Sequence, residues 1–112
     1  MKLSIIIVSY NVSAYIRQCI QSILDSSNFG KYEIIVVDND SYDDSCSMIK
    51  KEFSNIKLIQ NSINMGFSKA VNQGISISKG EYICLLNPDT LISSDTFKIL
   101  LQYINDNKNI GA

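Results

Sequence analysis

Short apolar runs alternate with stretches of helical periodicity along the whole chain. The first run, Leu3–Val8, is rich in β-branched residues and shows no polar alternation after Ser4, which is typical of a strand buried on both faces. The later runs that predict strands are Glu33–Val37, Ile56–Gln60 and Tyr82–Leu86. Because turn formers or polar residues bound each run, we expect four separate strands.

Between the strands, apolar residues recur at the three- and four-residue spacing of amphipathic helices. We expect four helices, over about 12–24, 43–53, 67–75 and 94–106. Asn11 or Ser13 is expected to cap the first helix, and Asn28-Phe29-Gly30 to end it. Asp43 or Asp44 opens the second helix. The inward-facing residues of the last helix are expected to be Phe97, Leu100, Leu101 and Ile104.

Regular alternation of strands and helices predicts an α/β protein whose doubly wound, mainly parallel sheet carries helices on both faces. Right-handed crossovers leave few arrangements, and we predict the Rossmann-like strand order 3-2-1-4. Strands 1 and 4 are then neighbours at the switch point where such sheets bind ligands. Residues 1–112 are expected to form one domain, and since Asn109–Ala112 carry no stop signal, we expect a truncation before a further strand.

Composition narrows the class of function. The net charge of −1 and the pI of about 5.2 argue against nucleic acid as a partner. Histidine is absent, which excludes histidine-based nucleophile triads and leaves carboxylates as the groups for acid–base work. The three cysteines form no C-x-x-C pair, so neither a zinc site nor a disulfide framework is expected. Leu3–Val8 is too short to span a membrane, and we expect a cytoplasmic domain, a membrane segment elsewhere in a longer protein remaining open.

Polar side chains collect directly after three of the expected strands. The clusters are Ser9-Tyr10-Asn11, Asp38-Asn39-Asp40-Ser41 and Asn87-Pro88-Asp89-Thr90. Since the carboxyl ends of parallel strands meet at one edge of the sheet, we expect all three clusters to share the ligand-binding edge.

Each candidate residue has a structural interpretation beside the functional one. Asp38 is expected to bind a ligand, although aspartate at a strand end also forms turns and caps. Asp89 either holds a metal or belongs to a plain Asn-Pro-Asp turn. Gly66 allows close approach of a ligand or only permits a left-handed turn. Tyr10 stacks on a base or packs beneath it.

No glycine-rich phosphate-binding loop follows the first strand, where the sequence reads Ser9-Tyr10-Asn11-Val12-Ser13. A bound diphosphate must therefore have its charge neutralised in another way. Mg²⁺ or Mn²⁺ on Asp89 is the natural candidate, with the amide oxygen of Asn87 as weaker support.

These motifs together resemble those of family 2 glycosyltransferases of the GT-A fold. The blocks that carry the resemblance are Ser4–Asn11, Ile35–Ser41, Asn64–Ile75 and Gly80–Thr90. They lie in the family's order and cover nearly the whole chain, so the resemblance is stronger than any single block would make it.

The resemblance implies that this chain is the donor-binding half of an enzyme that transfers a sugar, with inversion, from a UDP- or dTDP-sugar to an acceptor hydroxyl. Asp89 then matches the metal-binding aspartate of the D-x-D motif, and Asp38 matches the carboxylate that reads the uracil or thymine ring. The residues it places at the nucleotide are Val8, Ser9, Tyr10, Asp38, Gly66 and Asn87.

Two departures from the family pattern qualify these expectations. Asn87 replaces the first aspartate of D-x-D, a variant typical of the rhamnosyltransferase-like branch, which makes dTDP-rhamnose a plausible donor. No residue matches the general base, which is expected beyond residue 112, so no catalytic residue is assigned. The resemblance implies polysaccharide biosynthesis with a glycan or lipid-linked acceptor, and leaves open a place at the inner face of the membrane. The alternative is a non-catalytic nucleotide-binding fragment, or one that assembles as a homo-oligomer.

Overall fold

The computed structural model describes residues 2–26, 30–93 and 95–106. Strands and helices alternate along these residues as the sequence pattern predicts. They are β1 (Lys2–Ser9), α1 (Ser13–Asp25), β2 (Lys31–Asp38), α2 (Ser45–Glu52), β3 (Lys57–Gln60), α3 (Phe67–Ile77), β4 (Tyr82–Leu86) and α4 (Thr96–Asp106). No helix in these ranges is both long enough and apolar enough to cross a membrane.

All four strands run parallel in one sheet with the order β3-β2-β1-β4, which confirms the predicted topology. β1 is a central strand, and its register places Ser9 opposite Asp38 of β2 and Ile7 opposite Leu86 of β4. β1 and β2 therefore end together, and β4 ends beside them at the same edge.

Helices cover both faces of the sheet, as expected. One face of β1, with Leu3, Ile5 and Ile7, belongs to the larger core cluster, whose other buried members come mainly from α1, α2 and α4. On the other face, Ile6 packs with Ala70 of α3 in a smaller cluster. The Cα of Gly74 lies so close to β1 that an added Cβ would stand 2.7 Å from Ile6 Cγ2, so glycine lets α3 lie directly on the sheet.

Several expected details of the helices differ from the structure. Neither Asn11 nor Ser13 caps α1 with its side chain, because Val12 occupies the N-cap position. Leu100 is 40% exposed rather than inward. The buried stripe of α4 consists of Phe97, Leu101 and Ile104, and Leu100 lies one position off that stripe on the turning helix. The expected boundary residues 28, 29, 94 and 109–112 lie outside the described ranges.

Glu33 of β2 connects β1, β3 and the segment before β4 at the amino-terminal edge of the sheet. Its carboxylate accepts hydrogen bonds from Ser4 Oγ at 2.5 Å, Lys57 Nζ at 2.7 Å and the Lys79 amide at 2.6 Å. Burial by itself would raise the pKa of Glu33, but the hydrogen bonds and the charge of Lys57 outweigh it and lower the pKa to about 2. At this edge of the sheet, one ion pair and two further hydrogen bonds thus meet at Glu33.

Glu33→Gln should flatten the acid dependence of stability. The folded pKa of Glu33 is depressed, so its stabilising contribution is present above the unfolded value of 4.5 and is lost as the pH falls toward about 2. Urea unfolding between pH 6 and pH 2 should therefore show the native chain losing up to about 3 kcal/mol more than the variant.

Glu52→Gln is the matched control, since Glu52 forms an exposed salt bridge with Arg17 at 2.6 Å. Such surface pairs contribute at most about 1 kcal/mol. Equal acid dependence in the native chain and Glu33→Gln would refute the role assigned to Glu33.

Candidate functional site

The three polar clusters lie together at the carboxyl edge of the sheet. β1 ends at Ser9, β2 at Asp38 and β4 at Leu86, and the parallel pairing brings these ends side by side. Since β1 separates β2 from β4, the loop after Asp38 and the turn containing Asp89 lie on either side of β1. The distance across two strand spacings is about 10 Å. An extended ligand along this edge would therefore meet both.

The side chain of Asp38 is buried at the base of this edge, with the residue only 1% exposed. One carboxylate oxygen accepts the Ser41 amide at 2.8 Å, and the other accepts Ser41 Oγ at 2.6 Å. Cys46 lies within hydrogen-bonding reach of the same carboxylate. Burial, then the charge and hydrogen bonding of Asp38, raise the pKa of the Cys46 thiol to about 12, so this thiol stays protonated. The Asp38 carboxylate thus shapes the turn that follows β2.

Asn11 joins the loops after β1 and β2 by hydrogen bonds. Its amide donates to Ser41 Oγ at 2.8 Å, and its Oδ1 accepts the amides of Tyr42 at 2.9 Å and Asp43 at 3.4 Å. Asn11 adopts φ 51°, a left-handed conformation that asparagine tolerates better than most residues. The two loops therefore behave as one piece of structure.

Asp43 binds the amino termini of two helices. Its Oδ2 accepts the Ser13 amide of α1 at 3.2 Å, and its Oδ1 accepts the Ser45 amide of α2 at 3.0 Å as well as the Ser45 hydroxyl. Burial opposes ionisation, but these hydrogen bonds lower the pKa of Asp43. The capping that the sequence assigns to Asn11 or Ser13 is thus supplied to α1 from across the edge.

Asn39 connects the end of β2 to the loop before α3. Its Nδ2 donates to the Gly66 carbonyl at 3.1 Å, while its Oδ1 accepts the Met65 amide at 3.3 Å and Asn61 Nδ2 at 3.1 Å. Asn39 is only 3% exposed. The loop that carries Gly66 is therefore attached to the same edge as Asp38.

Gly66 has φ 82° and ψ 170°, a region that is essentially restricted to glycine. An added Cβ would meet no atom within 4 Å, so backbone conformation and not space requires glycine here. The positive φ agrees with the turn interpretation of Gly66, and the close approach of a ligand at this residue stays a prediction.

Gly66→Ala should lower the free energy of unfolding by about 1–2 kcal/mol through backbone strain alone. Chemical denaturation followed by circular dichroism measures this loss. Ser68→Ala, at an exposed position two residues later in α3, is the control and should change stability by less than about 0.5 kcal/mol. An unchanged free energy for Gly66→Ala would mean that the turn relaxes without strain.

The end of β1 offers one open aromatic ring and one unsatisfied hydroxyl. Tyr10 is 46% exposed, and its ring centroid lies 6.3 Å from that of Tyr42 at an interplanar angle of 87°. Ser9 is fully buried, and its Oγ has no hydrogen-bond partner among the described residues. Val8, the preceding residue, is partly buried against the α3 face of the sheet. Unsatisfied buried hydroxyls are uncommon in folded proteins, which marks this strand end as unusual.

Asn87 to Thr90 form a tight turn after β4. The Thr90 amide donates to the Asn87 carbonyl at 3.0 Å across Pro88 and Asp89. The same carbonyl lies 3.8 Å from Cys19 Sγ of α1, which links the turn to the core. Burial chiefly, and then the nearby charge of Asp89, raise the pKa of the Cys19 thiol to about 11.

The donor set at this turn fits a cation shared with a ligand. Asn87 and Asp89 are exposed, and the Asp89 carboxylate makes no hydrogen bond to any described residue. No group of three or more metal-binding side chains occurs in the part of the chain that the structure describes. One free carboxylate suits Mg²⁺ or Mn²⁺ held jointly by a protein and by phosphate oxygens, and does not make a self-sufficient metal site.

Sequence reasoning did not identify the connections that hold this edge together. The sequence places Asn11, Asn39 and Ser41 in the polar clusters of this edge and predicts a cap at Asn11, but it predicts none of their mutual hydrogen bonds. The relevant partners lie about 30 residues apart, so local pattern cannot pair them. The sequence signal that could have indicated these hydrogen bonds is the density of asparagine and aspartate after β1 and β2, since these side chains readily bind nearby backbone groups.

Known proteins match this chain over nearly its full length. The model of the family described as Glycosyl transferase family 2 matches residues 4–112. The minor teichoic acid biosynthesis protein GgaB of Bacillus subtilis is 34% identical over 110 residues, covering 95% of this chain and 12% of that protein. The poly(ribitol-phosphate) beta-glucosyltransferase of Bacillus spizizenii is 36% identical over 113 residues, covering 96% of this chain and 17% of that protein.

Solved structures agree with these matches. S. aureus TarS in complex with UDP-GlcNAc has a TM-score of 0.86 at 28% identity, covering 96% of this chain and 32% of that chain. TarS in complex with UDP has a TM-score of 0.85 at 29% identity. This chain spans well under half the length of each of these relatives.

Proposed function

The chain belongs to glycosyl transferase family 2, and we propose that it forms the nucleotide-sugar-binding part of an inverting glycosyltransferase. The observation that carries this proposal is the assembly of the loops after β1, β2 and β4 at one carboxyl edge, where open α/β sheets bind ligands. The match to TarS in complex with UDP-GlcNAc supports a uridine nucleotide sugar as the donor class.

The base occupies the β1–β2 side of the edge in this proposal. Tyr10 offers an exposed ring for stacking, and Ser9 an unsatisfied hydroxyl. A carboxylate can accept about four hydrogen bonds, and Ser41 and Cys46 account for three at Asp38. One acceptor site is left for a base N–H, as in the ring of uracil or thymine. Because Asp38 is 1% exposed, this contact requires the groups beside the remaining acceptor site to move, while the hydrogen bonds from Ser41 are kept.

The diphosphate extends toward β4, where Asp89 is exposed. Mg²⁺ or Mn²⁺ bound there would neutralise charge that develops on the leaving diphosphate. Asp89 holds that position through the tight turn closed by Thr90 and Asn87. Asn87 adds an amide oxygen and no charge, so the protein alone binds a cation weakly and the nucleotide completes the site.

This chain supplies donor binding, and the acceptor chemistry is assigned to another part of a longer protein. Inversion by direct displacement needs a base that deprotonates the acceptor hydroxyl. Asp38 and Asp89 are assigned to the nucleobase and to the diphosphate, Asp43 is bonded to the starts of two helices, and no residue of this chain matches the family's general base. We therefore expect residues 1–112 alone to bind nucleotide and to transfer little or no sugar.

We propose a glycan or a lipid-linked molecule as the acceptor. Supporting this are the names of relatives, which include a minor teichoic acid biosynthesis protein, a poly(ribitol-phosphate) beta-glucosyltransferase and a poly-beta-1,6-N-acetyl-D-glucosamine synthase. We propose that the enzyme acts in the cytoplasm, at the inner face of the membrane where its acceptor is lipid-linked.

Titration calorimetry tests the proposal with UDP, dTDP and ADP, each with and without Mn²⁺. UDP should bind most tightly, dTDP should bind if the rhamnosyltransferase-like turn sets the donor, and ADP should bind at least about tenfold more weakly than UDP, a difference of about 1.4 kcal/mol. Absence of binding by every nucleotide in both conditions would reject the proposal.

A non-catalytic, self-assembling fragment is the second candidate, favoured by exposed apolar side chains near the open edge of the sheet. β4 is the edge strand on that side, and Leu85 is 50% exposed. Ile99 and Leu100 of α4, which packs on the opposite face of the sheet from Leu85, are 64% and 40% exposed. Sedimentation equilibrium decides whether a second copy covers either set of side chains. A dimer that binds no nucleotide would favour this candidate, and a monomer that binds UDP would reject it.

A further inference from the structure

The exposed aromatic ring of Tyr42 lies beside Tyr10 but has no role in the proposed binding of the nucleotide. Tyr42 is 85% exposed, more than any other exposed large apolar or aromatic side chain in the described residues. Single exposed apolar residues are common, so exposure alone indicates nothing. What distinguishes Tyr42 is its position, because its ring stands against Tyr10 at the proposed base site.

The backbone that carries this ring is held by hydrogen bonds to two residues, Asn11 and Asp38. The Tyr42 amide donates to Asn11 Oδ1 at 2.9 Å. The preceding residue, Ser41, accepts the Asn11 amide at 2.8 Å and donates to both oxygens of the Asp38 carboxylate. This turn is bonded directly to the carboxylate proposed to read the base, and the ring that it carries contacts the Tyr10 ring.

The two rings meet edge to face, with centroids 6.3 Å apart and planes at 87°. In such a pair each ring keeps at least one face free, because only one face of one ring is covered. Tyr10, at 46% exposure, therefore retains an open face while its tilt is set by its neighbour.

From this arrangement we infer that Tyr42 is a positioning residue, which orients the Tyr10 ring so that its free face receives the pyrimidine base of the donor. The inference rests on the proposed function. Tyr42 acts through Tyr10 and does not itself touch the base. Binding is strengthened because the ring is ordered before the nucleotide arrives.

A double-mutant cycle on the 112-residue chain tests this inference, with UDP and Mn²⁺ in titration calorimetry as the probe. Tyr42→Ala should weaken UDP about three- to tenfold, as expected for loss of an edge-to-face pair. Tyr42→Phe keeps the ring and should bind within about twofold of the native chain. In the Tyr10→Ala background, Tyr42→Ala should cause a further change of less than about twofold, because its target is gone.

Tyr15→Ala is the matched control. Tyr15 is also an exposed tyrosine, 58% exposed on α1, and it is not part of the Tyr10–Tyr42 ring pair. It should leave UDP affinity unchanged. Thermal unfolding should show that Tyr42→Ala is fully folded at the temperature of the titration, which separates positioning of Tyr10 from a general loss of stability.

Three results would overturn the inference. UDP affinity unchanged by Tyr42→Ala removes any role for this ring. An equal loss in the native and Tyr10→Ala backgrounds means that Tyr42 acts independently of Tyr10. If the native chain does not bind UDP, the proposed function is rejected and this inference with it. The titration of the native chain alone identifies this outcome, because both other results require that the native chain binds UDP.

Discussion

Asp38→Asn is expected to weaken UDP binding at least about tenfold and to lower the free energy of unfolding by about 1–3 kcal/mol. The asparagine keeps the shape of the side chain but replaces one acceptor oxygen with a donor. That donor would face Ser41 or Cys46, which already direct hydrogens at this position. The turn after β2 loses part of its support, and the acceptor for a base N–H loses its charge. Calorimetry and urea unfolding measure the two effects separately.

Asp40→Asn is the control for this substitution. Asp40 is exposed and has φ 65°, a conformation that asparagine also tolerates. Asp40→Asn should change neither the UDP affinity nor the free energy of unfolding appreciably. If Asp38→Asn lowered stability while UDP affinity per folded molecule stayed native, Asp38 would be a turn former and its assignment to the base would be wrong.

Asp89→Asn is expected to abolish the effect of Mn²⁺ on UDP affinity without affecting stability. The native chain should bind UDP at least about tenfold more tightly with Mn²⁺ than without it. In the variant this ratio should fall to about one, because an amide is a poor replacement for the single carboxylate at the turn. Since the Asp89 carboxylate is exposed and bonded to no described residue, unfolding should shift by less than about 0.5 kcal/mol.

Asp95→Asn controls for a general change in charge, because Asp95 is also exposed but lies near the start of α4, away from the turn. It should preserve the Mn²⁺ dependence. A native chain whose UDP affinity is independent of Mn²⁺ would contradict the metal assignment, as would a variant that keeps the full dependence.

The sheet was predictable from sequence because its two central strands, β1 and β2, consist mainly of buried residues. A short run rich in β-branched residues, such as Leu3–Val8, is typical of such a strand, and alternation with helices leaves few topologies. The predicted order and the shared edge of the three polar clusters are both confirmed. The family resemblance read from the same motifs is likewise confirmed by the family model over residues 4–112.

The interior of the site was not predictable in the same way. The burial of Asp38 depends on Ser41 and Cys46 closing over it, and the capping of α1 depends on Asp43, which lies about 30 residues away. Neither follows from local propensity, which favours Asn11 or Ser13 as the cap. Periodicity placed Leu100 inward because it is apolar, whereas the orientation of α4 is set by Phe97, Leu101 and Ile104. Local pattern thus predicted the shared edge of the polar clusters, and long-range contacts determine how the loops at that edge are held.

The central claim is that one nucleotide lies along the carboxyl edge, with its base near Asp38 and its diphosphate near Asp89. Amide NMR spectra of the labelled chain, recorded as UDP and Mn²⁺ are added, test this location most directly. The account predicts perturbed resonances after β1, β2 and β4 and around Gly66, with Mn²⁺ broadening strongest near Asp89. The opposite edge around Glu33 and Gly80 should be unperturbed. Perturbations centred there, or spread evenly over the molecule, would contradict the account.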